Sequence, residues 1–349
     1  MVTRPARLAI ESRSLAFEPH VENLPDLPPV DWQAGPFTPP QPLDTPATLP
    51  QADVVVLAWA DAEWAAMHHV FCASDEAMPY SDRDSGHFPG WQEDPSTAAW
   101  RYWGYFHLAQ VGDTRVLLYK SNIHLDEQGA QVLSELTQRL ATTVRPRLII
   151  STGTAGGANN EDHVGTVPIV KAATVYEEDK SANEWPTYSS TWTAPTATLD
   201  QAGFAQLLMP IPITEAALQE LASQFNEAKR TEYTLEQLDP DGLNRPTPAP
   251  VIRNLSEGST SLLTASSFLV GTIDDKYDAY ACIEMDDAIV AAACAQANVE
   301  YCSVRNLSDP AQSPALSSEL QSAWGSTIYR TYGLYTSLNG ALAAWAVIA

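Results

Sequence analysis

Residues Leu148–Gly157 read LIISTGTAGG, and the fold turns on this stretch. Four strand-forming residues, Leu148, Ile149, Ile150 and Ser151, run straight into a turn of small residues. A buried strand that ends in Gly153-Thr154-Ala155-Gly156-Gly157 leaves backbone N–H groups uncovered and lets a ligand come close to the main chain. The stretch is expected to form the floor of a pocket, although a glycine-rich strand exit is in many chains only a tight turn.

Working outward from it, Val132, Leu133, Leu136 and Leu140 recur at helical spacing, and Pro146 ends that helix just before the glycine strand. Further upstream, Trp100–Val111 and Thr114–Lys120 read as two strands joined by Gly112-Asp113, a hairpin signal. Before them, Asp53–Trp59 (DVVVLAW) is a β-branched run of buried-strand type followed by helical Ala60–Phe71. Downstream come a strand-rich segment, Val164–Val175, then strands at Ser261–Ser266, Ala281–Met285 and Glu300–Asn306. A helix at Asp287–Asn298 lies between the last two, and Leu316–Ile348 supplies one long or two short closing helices. Strands alternating with helices predict a three-layer α/β fold, a central mixed or mainly parallel sheet flanked by helices.

Two regions stand apart. Met1–Ala52 is rich in proline and poor in periodicity, which predicts an extension lying on the surface or a flexible leader ahead of a catalytic domain at 53–349. Glu177–Gly258 carries one good amphipathic helix, Glu215–Lys229, amid Pro, Thr and Asp, and reads as an insertion laid over the core.

Composition narrows the function. The 349 residues are 45% hydrophobic, so the chain can bury a large core. No stretch reaches the apolar length of a membrane span and the first residues lack a targeting pattern, so the expectation is a soluble cytoplasmic protein. Acidic residues outnumber basic ones 43 to 19. Such a surface repels phosphate backbones and anionic membranes, which argues against nucleic-acid or lipid partners. Cys72, Cys282, Cys294 and Cys302 show no paired zinc spacing, and His68-His69 would diverge from a helix, so no metal is expected.

Two further stretches bear on chemistry. Cys282–Ala288 (CIEMDDA) delivers Glu284, Met285 and Asp286 to the mouth of a helix, and Ser303–Pro310 (SVRNLSDP) is a strand ending in Arg305, Ser308 and Asp309. Taken singly, the first is explained by acids answering a helix dipole and the second by a turn.

In this order, however, the three stretches resemble the nucleoside phosphorylase/nucleosidase superfamily, and within it the methylthioadenosine/S-adenosylhomocysteine nucleosidase branch. That pattern has a TGSAGG strand, a Glu-Met-Glu at a helix start and a strand ending Arg-x-x-Ser-Asp; here Thr152–Gly157, Glu284–Asp286 and Arg305–Asp309 correspond. Lys120-Ser121-Asn122-Ile123 is similar to its Lys-Ser-Gly-Ile segment, and Thr264–Phe268 stands in place of its Ser-Gly-Asp-x-Phe. The resemblance spans Asp53–Asp309.

The resemblance implies a site without cofactor or metal, a small nucleoside as partner and a homo-oligomer, a dimer being favoured. Breaking an N-glycosidic bond requires a proton for the departing base and stabilisation of an oxocarbenium-like sugar. By resemblance Asp309 protonates or hydrogen-bonds purine N7, Asp286 accepts from the ribose hydroxyls, Met285 packs under the sugar and Phe268 stacks on the base. Arg305, Ser121 and Glu284 would line the water or sugar side, and Gly153, Thr154 and Ser308 complete the expected set. Where the family has Glu, this chain has Asp286, one methylene shorter, so the sugar would sit differently or a 2′-deoxy sugar would be tolerated.

Phosphorolysis needs cations to hold phosphate. At the two places where hexameric phosphorylases carry arginine, this chain has Ser151 and Ala58–Glu63 (AWADAE), neither of which offers positive charge. The hydrolytic branch places a Glu after the first strand as base for a water; Glu63 is the candidate, with Asp61 as runner-up. A first-turn helix acid explains Glu63 equally well. The expected activity is therefore hydrolysis of purine, adenine-type nucleosides. A phosphorylase using Arg101, Arg145 or Arg147 and a catalytically silent nucleoside-binding protein remain the alternatives.

Overall fold

A computed structural model describes residues 18–201, 203–242 and 250–349 of the protein; the part of the proline-rich extension before residue 18 lies outside them, as do residue 202 and 243–249 of the insertion. The centre of the sheet is parallel. Strand β2 (Val54–Ala58) lies between β5 (Thr114–Ser121) and β6 (Leu148–Gly156), and β13 (Glu300–Asp309) runs on the far side of β6. The expected hairpin closes one flank: β4 (Tyr102–Val111) pairs antiparallel with β5, β3 (Gln92–Pro95) pairs with β4, and β1 (Gln41–Leu43) of the proline-rich extension also pairs with β4.

On the other flank β7 (Val167–Val170) pairs antiparallel with β13, and β12 (Ile283–Glu284) meets β6 at Gly156. Beyond β12 come β11 (Leu262–Thr264) and β8 (Ala172–Val175), both parallel. Two short strands of the 177–258 segment join this flank, β9 (Thr187–Ser189) on β8 and β10 (Ile252–Asn254) on β7. The insertion is therefore stitched into the sheet as well as laid across it.

All five residues of β2 are buried, because alternate side chains enter two different cores. Val54, Val56 and Ala58 face helices α1 (Asp61–Cys72) and α7 (Ser318–Ile348), together with Ile150 and Val304. Val55 and Leu57 face α2 (Leu125–Thr143) and α6 (Asp287–Ala297), with Ile149, Leu133, Leu136, Leu140 and Cys294. Each fully buried aliphatic side chain contributes about 1.5–3 kcal/mol, so this two-sided burial fixes both the layers and the register.

The closing segment is one helix of 31 residues. It is buried nearly all round because the extension and the insertion wrap it. Trp32 and Phe37 set their rings 4.6 and 5.5 Å from Trp345, and Phe225 of α4 (Glu215–Lys229) lies 5.4 Å from Trp324. Two one-turn helices, α3 (Phe204–Leu207) and α5 (Leu235–Leu238), complete the insertion. Among the described residues no helix is long and apolar enough to cross a membrane.

Candidate active site

The parallel pairing of β6 with β13 sets the expected motif residues side by side: Arg305 lies opposite Gly153, and a register shift before Asp309 brings that residue opposite Gly156. Such a bulge re-aims a side chain at the end of a strand. Gly153 is required by close approach. A Cβ there would stand 2.8 Å from both Arg305 Nη1 and Glu63 Oε1, which occupy the space over its Cα.

Glu63 stands in the first turn of α1 and is buried. Its Oε2 accepts from the Trp59 and Ala60 amides at 2.8 Å each, the helix-start role open to any such acid. Its Oε1 reaches across to the glycine strand, accepting from the Thr154 amide at 2.8 Å and the Thr154 hydroxyl at 2.7 Å. The runner-up, Asp61, turns instead to Lys120, whose Nζ lies 3.9 Å from its Oδ1. Burial pushes the Asp61 carboxyl up against the pull of that lysine.

Beneath the strand lies a fully buried guanidinium. Arg305 donates from Nε to Asp287 Oδ2 at 3.0 Å and from Nη2 to Asp287 Oδ1 at 2.6 Å, a side-on bidentate pair. Nη2 also reaches Ser151 Oγ at 2.8 Å and Glu284 Oε2 at 3.3 Å, and Nη1 the Thr154 carbonyl at 3.4 Å. Asp287 further accepts from the hydroxyls of Ser151 and Ser303. Burial works against the charge of Arg305, but Asp287 and Glu284 outweigh it and push its pKa further up.

Glu284 is stapled to the start of α6. Its Oε2 accepts from the Asp286 amide at 2.6 Å and the Asp287 amide at 3.0 Å, while its Oε1 meets the Thr264 hydroxyl on the neighbouring strand. Burial, with the charge of Asp287 behind it, pushes the Glu284 carboxyl up to about 8. The Thr264 hydroxyl donates to Oε1 and itself accepts from the Ala288 amide at 2.9 Å.

Above this layer a pocket opens, lined by Thr154, Ala155, Gly156, Phe268, Leu269, Ile283, Glu284, Met285, Ser308, Asp309, Ser326 and Tyr329. It gathers six of the expected residues: Asp309, Ser308, Phe268, Met285, Glu284 and Thr154. The Ser308 hydroxyl donates to Asp309 Oδ1 at 2.8 Å. On the other side of Asp309 stands α7, where a Cβ on Gly325 would come 3.3 Å from Asp309 Oδ2.

Five expected residues do not line the pocket. Glu63, Arg305 and Gly153 belong to the layer beneath. Ser121 closes a local turn, its hydroxyl donating to the Ile123 carbonyl at 2.8 Å. Asp286 turns toward the start of α2, where Oδ1 accepts from the Leu125 amide at 2.9 Å and Oδ2 lies 3.9 Å from His124 Nδ1.

Three residues that matter escaped the sequence reading. Asp287 adjoins the Glu-Met-Asp motif but looks like an ordinary first-turn acid. Ser326 and Tyr329, three apart and hence on one face of α7, reach the pocket only because that helix crosses behind Asp309.

Residues 102–324, well over half of the chain, match the sequence profile of the phosphorylase superfamily. The chain belongs to that superfamily. The superfamily expected from the motifs is thus the one the profile assigns, and its α/β architecture is the fold described above. No curated protein matches the sequence. Among solved structures, the chain is similar to the 5′-methylthioadenosine/S-adenosylhomocysteine nucleosidase of Neisseria meningitidis at 12% identity, with 85% of this chain and 98% of that one covered and a TM-score of 0.48. The futalosine hydrolase of Helicobacter pylori gives 11% identity, 85% and 97% coverage and 0.47. The nucleosidase of S. pneumoniae gives 15%, 84% and 97%, and 0.47.

Proposed function

We propose that this superfamily member is a nucleosidase that hydrolyses the N-glycosidic bond of purine nucleosides, adenine-type bases being those the motif resemblance implies. Asp309 is the acid to the leaving base and Glu63 the residue that activates water. The observation that carries hydrolysis over phosphorolysis is the state of the cations. The described residues lining the pocket include no Lys or Arg, and a phosphate entering it would meet the carboxyls of Glu284 and Asp309. Arg305 lies below with Asp287, Ser151, Glu284 and the Thr154 carbonyl around its guanidinium.

The arginines of the phosphorylase alternative are all exposed, and Arg145 and Arg147 precede the far end of β6. At about 3.3 Å per residue, that end lies well over 20 Å from Gly156. As Asp309 gives its proton to the departing base it becomes a carboxylate, which suits an oxocarbenium-like sugar developing positive charge. Phe268 and Met285 supply apolar surface for base and sugar, and Asp309 lines the same pocket, which supports its role as the acid.

The test is release of free base from adenosine, methylthioadenosine, inosine and uridine in phosphate-free buffer. Release from the adenine nucleosides is the expected result. Release only on adding phosphate favours the phosphorylase reading, and no release from any of the four favours a silent binding protein.

A further inference from the structure

Asp287 is the least expected charge in the molecule. It is completely buried, it is not on the pocket wall, and the proposed hydrolytic step does not use it. Yet it holds the Arg305 guanidinium beneath the pocket, with both carboxylate oxygens and two serine hydroxyls committed to the arrangement. Burying an Asp–Arg pair this completely is costly, and replacing such pairs by apolar residues is often neutral or stabilising, so stability alone is a weak reason for it.

The geometry gives a stronger one. Arg305 Nη1 and Glu63 Oε1 converge on the same point over Gly153, each 2.8 Å from the position a Cβ would take. Thr154 joins them a second time, accepting from Nη1 through its carbonyl and donating to Oε1 through its amide and hydroxyl. Asp287 fixes the Nε–Nη2 side of the guanidinium, so the Nη1 edge alone is turned toward Gly153, Thr154 and Glu63. It also brings its own carboxylate onto the charge that Glu63 faces.

We propose that Asp287 is a positioning residue for hydrolysis, acting through Arg305 to hold the Thr154–Glu63 contact in place and to limit the positive charge that Glu63 meets. The inference rests on the nucleosidase reading. Without Asp287 the guanidinium would be free to offer its bidentate side to Glu63, and a carboxylate clamped by a full cation is a poorer acceptor for a proton from water. The other charged groups around Glu63 are Asp61 on its own helix, Lys120 of β5 paired with Asp61, His124 beyond them, and Glu284 of β12; Asp309 and Asp286 stand further round the site.

The experiment is steady-state kinetics from pH 4.5 to 9 on the full-length protein and its Asp287→Asn variant, using the best nucleoside of the panel. The expected result is a kcat lower by about 10- to 100-fold, a KM within about twofold and an acidic limb of kcat/KM displaced to lower pH by about half a unit or more. A lost structural contact would lower the rate without moving that limb. Because Asp287→Asn leaves Arg305 buried with a weaker partner and can fail to fold, Arg305→Gln and the double variant Asp287→Asn/Arg305→Gln are measured beside it. In the Arg305→Gln background, Asp287→Asn should change kcat by less than about twofold, since its route of action is already gone.

An Asp287→Asn enzyme with an unmoved limb, or a further large loss in the double variant, overturns the inference while the nucleosidase reading stands. A wild-type protein that releases no base overturns both.

Discussion

Beneath the glycine strand, Glu63, Arg305 and Asp287 form a buried layer, each held by several hydrogen bonds and joined to the pocket wall through Thr154. Across the pocket, Asp309 stands with Ser308, Ser326 and Tyr329 on a wall that a ligand reaches directly. Glu284 belongs to both. The difference separates two demands on the same sheet. The layer must place charges that cannot relax, and it does so at the expense of burying them; on the proposed reading the wall must exchange a proton with a visiting base, and Asp309 lines the pocket there. Changes to the wall should therefore reach activity alone, while changes to the layer should reach activity and stability together.

The sharpest way to break this comparison is Asp309→Asn. It should lower kcat by about 10²- to 10⁴-fold, the range expected for a lost general acid, with a melting temperature within a degree or two of wild type. A rate close to wild type removes Asp309 from the mechanism, and a large drop in melting temperature erases the distinction between wall and layer. Gly153→Ala makes the complementary case. Its methyl group would press on Arg305 Nη1 and Glu63 Oε1 at 2.8 Å, so it should cost about 1–3 kcal/mol in denaturant unfolding as well as activity. Unchanged stability would show that the layer yields more readily than its contacts imply.

A subtler effect concerns pH. The Glu284 carboxyl is pushed from an ordinary value of 4.5 up to about 8 by burial and by Asp287. The folded state then holds a proton that the unfolded chain releases, so this group's contribution is intact below about pH 4.5 and is lost as pH rises toward 8. Unfolding free energies of wild type and Glu284→Gln, measured between pH 5 and 8, should differ by an amount that changes steadily in the direction of relative wild-type loss. A difference independent of pH would mean that Glu284 is ionised throughout.

The smallest expected effect is on sugar choice. Asp286 is occupied by the Leu125 amide and His124 and does not line the pocket. A site built to hydrogen-bond a hydroxyl rejects the analogue lacking it by about 10⁴-fold or more, whereas this one should favour adenosine over 2′-deoxyadenosine by less than about tenfold in kcat/KM. A ratio in the thousands would show that Asp286, or another acceptor, swings to the diol when substrate binds.

Much of this was legible in the chain because buried parallel strands leave continuous aliphatic runs, as at Val54–Leu57 and Leu148–Ile150, and because the motifs follow the strand ends that face the pocket. The family resemblance also put Glu63 and Asp61 forward as the two candidates, and in the fold they take different partners, Glu63 Thr154 and Asp61 Lys120. What stayed hidden depends on contacts between distant segments. Nothing local marks Asp287 as the partner of Arg305, 18 residues on. Ser326 and Tyr329 acquire their place from the crossing of α7, and Asp286 is drawn from the pocket by the first turn of α2, which Gly129, at φ 83°, sets apart from the rest of that helix. The proline-rich extension shows no periodicity because its order comes from α7, through Trp32 and Phe37 on Trp345.

The central claim is that water, not phosphate, attacks the sugar. It is tested most directly by following the reaction with the best adenine nucleoside in excess inorganic phosphate by ³¹P NMR while free base is quantified. The account predicts full release of base with the inorganic phosphate signal unchanged, at the same rate as in phosphate-free buffer. A sugar 1-phosphate resonance growing in step with the base, and no release without phosphate, would contradict it.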